Sequence, residues 1–519
     1  MKKVFCILVV LALVFSLAAC NNSNSGTSVE SVGSPSNSQT SSGSSNPVEI
    51  TVALTELPNS LDPISEDYPD TLTACYHIYD RLIQFHEDND LVPEVAKSWK
   101  QIDDVTWEFD IDLGNYKFQN GDPLTMDDIV YSFERIKDIP KQADAAALID
   151  SVTYEGTKLT LKFTVVDNSL LKRLLSACII VNKAYIESGG DDAVYLNPIG
   201  TGPYKVAEFT PGTSLTIETW DGYPTAKPQI DKIVFLGIGE DSARYIALET
   251  GKAQVAIAFS KFEQDKAEAN SDITAYVKNS ATIEGFVLNC ERPPFSNVNV
   301  RRAIAYAFDR AGMCALQGGR DPLSSFLFCG YDEWYYESPL MPEYDLQKAK
   351  ELLAAEGYDE SNPMNIELVT YSTSEPAPEM LQSALRSIGV ELSLSRIEFG
   401  AYLDAEYSGS FDMLWCGLMN RGGHPFMDLD RFDVNMIGTR NISRYVDDRA
   451  MELVTMIRSE TDTQKLKAYT IELNDIVARD LPMIAIYQWA ERCAWNKNLS
   501  GVIVNVDMCY SFRYAKYTA

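Results

Sequence analysis

Apolar and polar positions recur with two periods along this chain, and the periods sort it into elements. From Val105 to Leu113 every odd position is apolar (Val105, Trp107, Phe109, Ile111, Leu113) and most even ones are polar, the pattern of a half-buried strand. Val152 to Val165 repeats the alternation around Glu155-Gly156. Between them Asn120-Gly121-Asp122-Pro123 turns the chain, and Thr125 stands three residues before Asp128, a pattern that caps a helix N-terminus. Ile129, Phe133 and Ile136 then share one helical face. A strand from Val48 to Leu54 and a short amphipathic helix from Ala74 to Phe85 come earlier. These elements predict a compact α+β segment between about Arg81 and Leu196.

The stretch Asn197 to Trp220 reads as a corner. Pro198, Gly200, Gly202 and Pro203 punctuate a rigid crossing, and the residues after them alternate around a Thr-Pro-Gly-Thr turn, so a tight turn enters a hairpin. A phosphate cradle is excluded, because no Lys-Ser/Thr follows the glycines and Pro203 opens a strand rather than a helix. Beyond it, Ile233 to Leu236 is strand-like, Ser242 to Thr250 helical and Gln254 to Phe259 strand-like.

From Ile283 onward strands alternate with helices. Strand Phe286 to Asn289, a helix from Val300 to Phe308, a helix from Asp345 to Gly357, strand Ile366 to Thr370, a helix from Glu379 to Gly389, strand Val390 to Leu394, helix Ala401 to Tyr407 and strand Asp412 to Gly417 follow in turn. Helices near Val446 to Arg458 and Gln464 to Ala478 complete the region, and short strands close the chain from Met483. Such alternation predicts crossover connections and a largely parallel sheet. Ligands of open parallel sheets bind beyond the carboxyl ends of the strands, which points to two loops, Tyr371 to Pro378 and Leu418 to Pro425.

A chain of 519 residues is long enough for about three domain-sized cores. Its 74 acidic and 44 basic residues, net charge −30, argue against nucleic acid and anionic membrane surfaces as partners, since phosphate contacts need clustered Lys and Arg. Lys2 and Lys3 followed by an apolar run from Val4 form a secretory signal, and Leu17-Ala18-Ala19-Cys20 resembles the bacterial lipobox, which implies cleavage that leaves Cys20 lipidated. Residues 21–46 are almost wholly Asn, Ser, Gly and Thr, a flexible tether with a reach of about 30 Å. The cysteines other than Cys6 and Cys20 include no C-x-x-C pair, and Cys178, Cys290 and Cys416 sit in apolar stretches, so buried thiols are expected. An exported protein can also form one or two disulfides, which the sequence does not pair.

Enzyme chemistry finds little support. The three histidines, His77, His86 and His424, fit no H-E-x-x-H spacing, and no G-x-S-x-G elbow is present. No catalytic residue, metal site or cofactor is expected.

Several blocks together carry a family resemblance. Gly200-Thr201-Gly202-Pro203-Tyr204, Leu61-Asp62-Pro63, Leu91 to Trp99 with Trp107 to Leu113, Phe118 to Gly121 and Asp127 to Ser132, Asn289 with Pro293-Pro294-Phe295 and Val298 to Arg310, and Tyr344 to Tyr358 resemble, in order, the extracellular solute-binding proteins of ABC importers, family 5, which carry oligopeptides, dipeptides or nickel complexes. The resemblance implies an α/β, periplasmic-binding-protein-like two-lobed fold (type II, cluster C) with an extra α+β domain inserted in the first lobe. It implies lobe I at 48–80, 197–282 and 483–519, the inserted domain at 81–196 and lobe II at 283–482. The partners implied are a peptide or other small solute, an ABC permease with its ATPase, and a membrane reached through the lipid on Cys20 at the extracellular face of a Gram-positive cell; no nucleic acid is expected, and the receptor should act as a monomer.

Where dipeptide binders of this family carry acids, the second loop reads Leu418-Met419-Asn420-Arg421-Gly422-Gly423-His424-Pro425, and the upstream loop Ser372-Thr373-Ser374-Glu375 lacks their arginine. The expected ligand contacts are Tyr371, Ser374, Glu375, Trp415, Gly417, Asn420, Arg421 and His424. Two ligand classes stay open. Longer peptides would be held by neutral backbone hydrogen bonds, with termini paired through Glu375 and Arg421; a different solute would meet Trp415, Tyr371 and Asn420. Trp415 is equally readable as core packing, and Arg301 and Arg302 as structural caps.

Overall fold

Ten strands form one mixed sheet, in the order Val390–Arg396, Met364–Thr370, Met413–Met419, Ile273–Leu288, Met483–Asn496, Val255–Ala256, Glu49–Leu54, Lys232–Gly237, Ser214–Thr219 and Tyr204–Thr210. The computed structural model describes residues 47–64, 68–85, 91–139, 142–167, 169–171, 178–316, 322–325, 327, 333–359, 361–371, 376–419, 425–505 and 508–518. Residues 1–46 with Cys20, residues 372–375 with Ser374 and Glu375, and residues 420–424 with Asn420, Arg421 and His424 lie outside the described residues.

Two long antiparallel strands at the centre, of 16 and 14 residues, join two halves of the sheet. Ile273 to Asn279 pair with Asn496 to Ala490, next to the strands Val255–Ala256 and Glu49–Leu54. Ile283 to Val287 pair with Gln488 to Met483, next to Met413–Met419. Between these stretches the register breaks, and side chains take over the bonding: Gln488 Nε2 donates to the Ser280 carbonyl (2.7 Å), and Ser280 Oγ donates to the Trp489 carbonyl (3.0 Å). The architecture is therefore two-lobed α/β, with both crossing strands changing partners at one level.

The second half of the sheet is apolar on both faces. Phe286, Leu288, Leu368, Met413, Trp415 and Ile484 enter one core and Ile283, Val287, Val369, Leu414, Cys416 and Met483 another, so helices cover both sides. Met364–Thr370 is parallel to Val390–Arg396 and to Met413–Met419, but Ile273–Leu288 is antiparallel to both of its neighbours. The expected largely parallel sheet is thus a mixed one, because its central strands come from opposite ends of the sequence rather than from successive crossovers.

Local rules explain most elements. Thr125 and Asp128 form a capping box at the helix Met126–Arg135, the hydroxyl accepting from Asp128 N (3.2 Å) and the carboxylate from Thr125 N (2.9 Å). The inserted four-stranded antiparallel sheet runs Ala96–Asp103, Thr106–Ile111, Lys158–Phe163, Ile149–Glu155. Where a helix over Ala74 to Phe85 is expected, the helix is Pro69–Ile78, started by its proline, and Ile83–Phe85 is a strand. The strand at Gln254 to Phe259 shrinks to Val255–Ala256, since Ala258 turns left-handed at φ 54°. The strand Phe286 to Asn289 is the end of Ile273–Leu288.

The inserted domain is fastened at two points. Arg135 grips Asp62 through both carboxylate oxygens (3.2 and 2.6 Å), with both side chains buried. At the Gly-Thr-Gly corner, backbone lies on backbone: a Cβ on Gly200 would sit 2.1 Å from the Ile78 carbonyl oxygen, and one on Gly202 2.6 Å from that of His77. Gln119 of the inserted domain completes the contact, its amide donating to the carbonyls of Ile78 (2.8 Å) and Tyr204 (2.7 Å) and accepting from Gly200 N (3.0 Å). Arg301 and Arg302 cap carbonyls, at Asp480 (2.6 Å) and Arg479 (2.9 Å). Seven described cysteines are free thiols, all buried except the half-buried Cys290. Among the described residues no helix is long and apolar enough to cross a membrane.

Gly200→Ala is expected to cost about 3 kcal/mol or more, because the clash is with backbone and no rotamer relieves it. Urea unfolding checks this; a loss under about 1 kcal/mol would refute the close-packed corner.

Candidate functional site

The register break in the crossing strands is where the chain opens a cavity. Gly239, Glu240 and Asp241 follow the strand Lys232–Gly237, and Ala258 to Phe262 follow Val255–Ala256, so both segments leave the same ends of the two strands that flank Glu49–Leu54 in parallel. Together with Trp489 to Arg492 on the crossing strand and Leu316 at the end of the helix Arg310–Leu316, they line a cavity of about 560 Å³. That size suits a small solute or part of a longer one. A second cavity of about 640 Å³, between Tyr116, Tyr223 and Arg513, is lined by the first lobe and the inserted domain. We place the candidate site in the first cavity because it lies at the register break, where Leu316 on a helix of the second half meets segments of the first.

Arg244 fixes two of its walls. Its guanidinium donates to the carbonyls of Ile238 (2.7 Å) and Gly239 (2.8 Å) on one segment and of Ile257 (2.8 Å) and Ala258 (2.6 Å) on the other. Glu491 ties the crossing strand to the same place, accepting from Ala258 N (3.2 Å) and from the Tyr510 hydroxyl. Burial pushes the Glu491 carboxyl up to about 7, helped by Asp70 and opposed by its hydrogen bonds and by Arg244. Arg492, beside it, is 7% exposed, and burial holds its guanidinium below the usual arginine range against the pull of Glu491, Asp265 and Glu268.

The strand Met413–Met419 does not line the cavity; it lies two places from Met483–Asn496 in the sheet, across Ile273–Leu288. Its inner side pairs with Ile273–Leu288 along its whole length, down to Met419 opposite Thr282 at the break. Its outer side pairs with Met364–Thr370 only at Met413 and Leu414, so from Trp415 onward that edge has no partner strand among the described residues. Gly417 is exposed there, and a Cβ on it would sit 2.8 Å from Glu284 Oε1. In the sheet rows, Gly417 faces Glu284 and Tyr487, and Leu418 faces Ile283 and Gln488, one residue from the cavity wall at Trp489.

The expected contacts are distributed unevenly. Gly417 lies on the free edge. Tyr371 is 43% exposed at the exit of Met364–Thr370, stacked edge-on against Phe399 and Tyr402 at 5.0 and 4.9 Å. The Trp415 ring is 2% exposed and packs on Phe286 at 5.0 Å, so it presents backbone, not indole, to the edge. Glu491 and Arg492 escaped the sequence reading; the signal was a Glu-Arg pair, the only charged residues in the largely apolar run from Met483 to Trp495.

Among the described residues, no group of three or more His, Cys, Asp and Glu is placed to hold a metal ion. His77 is structural: Nδ1 contacts the Thr73 carbonyl (2.7 Å), Nε2 accepts from Phe512 N (2.8 Å), and burial with Arg513 nearby lowers its pKa to about 3.

Residues 90–436 match the model of bacterial extracellular solute-binding proteins, family 5 middle. The chain belongs to that family. Its members are solute-binding receptors rather than enzymes. The periplasmic murein peptide-binding protein MppA of Escherichia coli is 26% identical over 511 residues, covering 89% of this chain and 92% of the relative. Among solved structures, DppA from Helicobacter pylori in complex with the peptide STSA superposes with a TM-score of 0.76 at 23% identity, covering 91% of this chain and 98% of that one. NikA from Brucella suis in complex with Fe(III)-EDTA superposes with a TM-score of 0.78 at 18% identity, covering 91% and 100%. At such identity the last two speak for the fold alone, and one fold holding ligands so different leaves the choice to a few side chains.

The raised pKa of Glu491 sets a pH dependence. The folded chain holds a proton that the unfolded chain releases between about 4.5 and about 7, so this contribution to stability is present at low pH and lost as pH rises through that window. Relative to wild type, Glu491→Gln in ligand-free protein should gain stability from pH 5 to pH 8, by up to the order of 3 kcal/mol. Urea unfolding at the two values checks it; an equal offset at both would refute the shift.

Proposed function

We propose that this protein is a membrane-anchored extracellular receptor that captures peptides between its lobes and delivers them to an ABC permease and its separate ATPase. The observation that carries the reading is the outer edge of Met413–Met419, which from Trp415 onward pairs with no strand among the described residues, with Gly417 exposed on it. An extended peptide can add to such an edge as a further strand, its main chain supplying neutral hydrogen bonds worth about 0.5 to 1.5 kcal/mol each, with little regard for sequence. The peptide-binding names of MppA and of the DppA complex support the same ligand class.

In this reading Gly417 and the Trp415 backbone hold the peptide main chain, Tyr371 offers a ring, and Ser374, Glu375, Asn420, Arg421 and His424 complete the contacts. The burial of the Trp415 indole favours peptides over a stacked small solute, since that alternative relied on its ring. Closure of the lobes at the register break encloses the ligand, and the closed form docks on the permease. The receptor carries out no turnover and works as a monomer. Its N-terminal signal is removed at the lipobox, Cys20 carries the lipid, and residues 21–46 tether the body.

Native mass spectrometry of protein purified without denaturation tests the ligand class. A ladder of peptide masses released on unfolding is expected; a single non-peptide mass would sink the peptide reading and name the solute. For the anchor, Cys20→Ala should move the protein from the membrane fraction to the medium or a detergent-free extract. Unchanged partitioning would remove the lipid from the model of its attachment.

A further inference from the structure

The interlobe cavity contains a buried cation that no hydrogen bond or ion pair from a described residue holds. Most other strongly buried arginines are engaged: Arg135 by Asp62, Arg244 by four carbonyls, Arg301 by the carbonyls of Asp480 and Phe295, Arg431 by Asp428 and Arg513 by Asp80 and Glu94, while Arg81 lies over the Tyr76 ring at 4.4 Å. Arg492 lines the cavity at 7% exposure and makes no side-chain hydrogen bond or ion pair with any described residue. Only its backbone is fixed, by Phe259 N donating to its carbonyl (2.8 Å).

The nearest acids are committed to other partners. Glu491, adjacent on the strand and therefore projecting to the opposite face, accepts from Tyr510 and Ala258 N. Asp265 pairs with Lys261 one helical turn away, and Glu268 receives Gln264 Nε2 at 3.5 Å. Unlike Arg444 Nε and Arg458 Nε, which are sealed without a hydrogen-bond partner, no Arg492 nitrogen is sealed in that way, so the guanidinium keeps access to the cavity it lines. A guanidinium held this way is a fork of donors in a low-dielectric wall, matched in geometry by a carboxylate. Burial already disfavours its charge, as expected of a cation awaiting a counter-ion. The loop Ser372 to Glu375 offers no arginine for that purpose.

We propose that Arg492 is the carboxylate-binding residue of this cavity, and that the ligand presents to it either a peptide C-terminus or an acidic side chain. The assignment deepens the receptor reading above and rests on the cavity being the ligand site. It makes the empty receptor pay for an uncompensated charge that the ligand relieves.

Two measurements on the full chain in detergent, freed of bound solute, test it with Arg492→Gln and Arg492→Lys. The Gln variant should unfold at the same temperature as wild type or higher, because it removes an unpaired buried charge; a fall of more than about 5 °C would make Arg492 a structural residue and overturn the assignment. Retention is then read by native mass spectrometry from three probes: a tripeptide library as free acids, the same library as C-terminal amides, and a set of small mono- and dicarboxylic acids. Wild type should retain free acids at least tenfold over amides, or Asp- and Glu-containing members over the rest whichever the terminus. The first pattern identifies the C-terminus and the second the side chain. The preference should vanish in the Gln variant and weaken in the Lys variant. Persistence of the preference in the Gln variant, or its absence in wild type, would overturn the proposal, as would retention of none of the probes. Retention of the small acids alone, lost in the Gln variant, would uphold Arg492 while ending the peptide reading.

Discussion

Backbone resting on backbone at Gly200 and Gly202 is the contact on which the first lobe depends. Helix Pro69–Ile78, the inserted domain and the edge hairpin of the main sheet all meet there, and none could approach so closely if either glycine carried a side chain. The polar groups brought together are satisfied locally, by Gln119 to three carbonyls and by Trp220 Nε1 donating to the Gly202 carbonyl (2.8 Å). Arg513, near the end of the chain, locks the same region from the other side through Asp80 (2.9 Å) and Glu94 (2.5 Å). Buried pairs of this kind add little net stability over apolar packing, but they leave one arrangement without stranded charges. The first lobe and the inserted domain share one continuous core as a result.

Much of this architecture was legible because its causes are local. The capping box at Thr125, the hairpin after Tyr204 and the helices closed by Gly357, Gly389 and Gly409 follow from residues within a few positions of one another. The crossing strands were hidden for the opposite reason. Ile273–Leu288 is stabilised by a partner some two hundred residues away, and its Lys278-Asn279-Ser280 stretch interrupts the apolar pattern where the register breaks. The same tertiary pairing reverses the direction of the central strands and makes the sheet mixed.

At the site, the two expected loops lie largely outside the described residues, and the described expected contacts Tyr371, Trp415 and Gly417 do not line the cavity. The loops after Met364–Thr370 and Met413–Met419 follow from the rule for strand ends. Whether Trp415 points to ligand or to core does not, because Leu414, Trp415 and Cys416 are all apolar in a strand buried on both faces, and an unbroken apolar run carries no period-two information. Glu491 and Arg492 were obscured in a related way: charges inside an apolar strand announce burial with a purpose, but only the cavity beside them gives the purpose a location.

The seam between the lobes has a mechanical consequence. Four steps from Asn279 to Ile283 face two from Ala490 to Gln488, so the ladder carries slack on one strand, bridged by the Ser280 hydroxyl, which donates to the Trp489 carbonyl and accepts from Thr282 N, and by the Gln488 amide. A second, smaller shift follows at Glu284 and Gly285, so bending stiffness is lowest from Asn279 to Gly285 and higher beyond, where regular ladders and packed cores resist flexure. A small angular change there is amplified with distance from the seam, so the outer loops of the second lobe sweep far while the backbone beside Arg492 hardly shifts. The molecule behaves as a pair of stiff levers on a compliant joint, with its most charged wall close to the pivot.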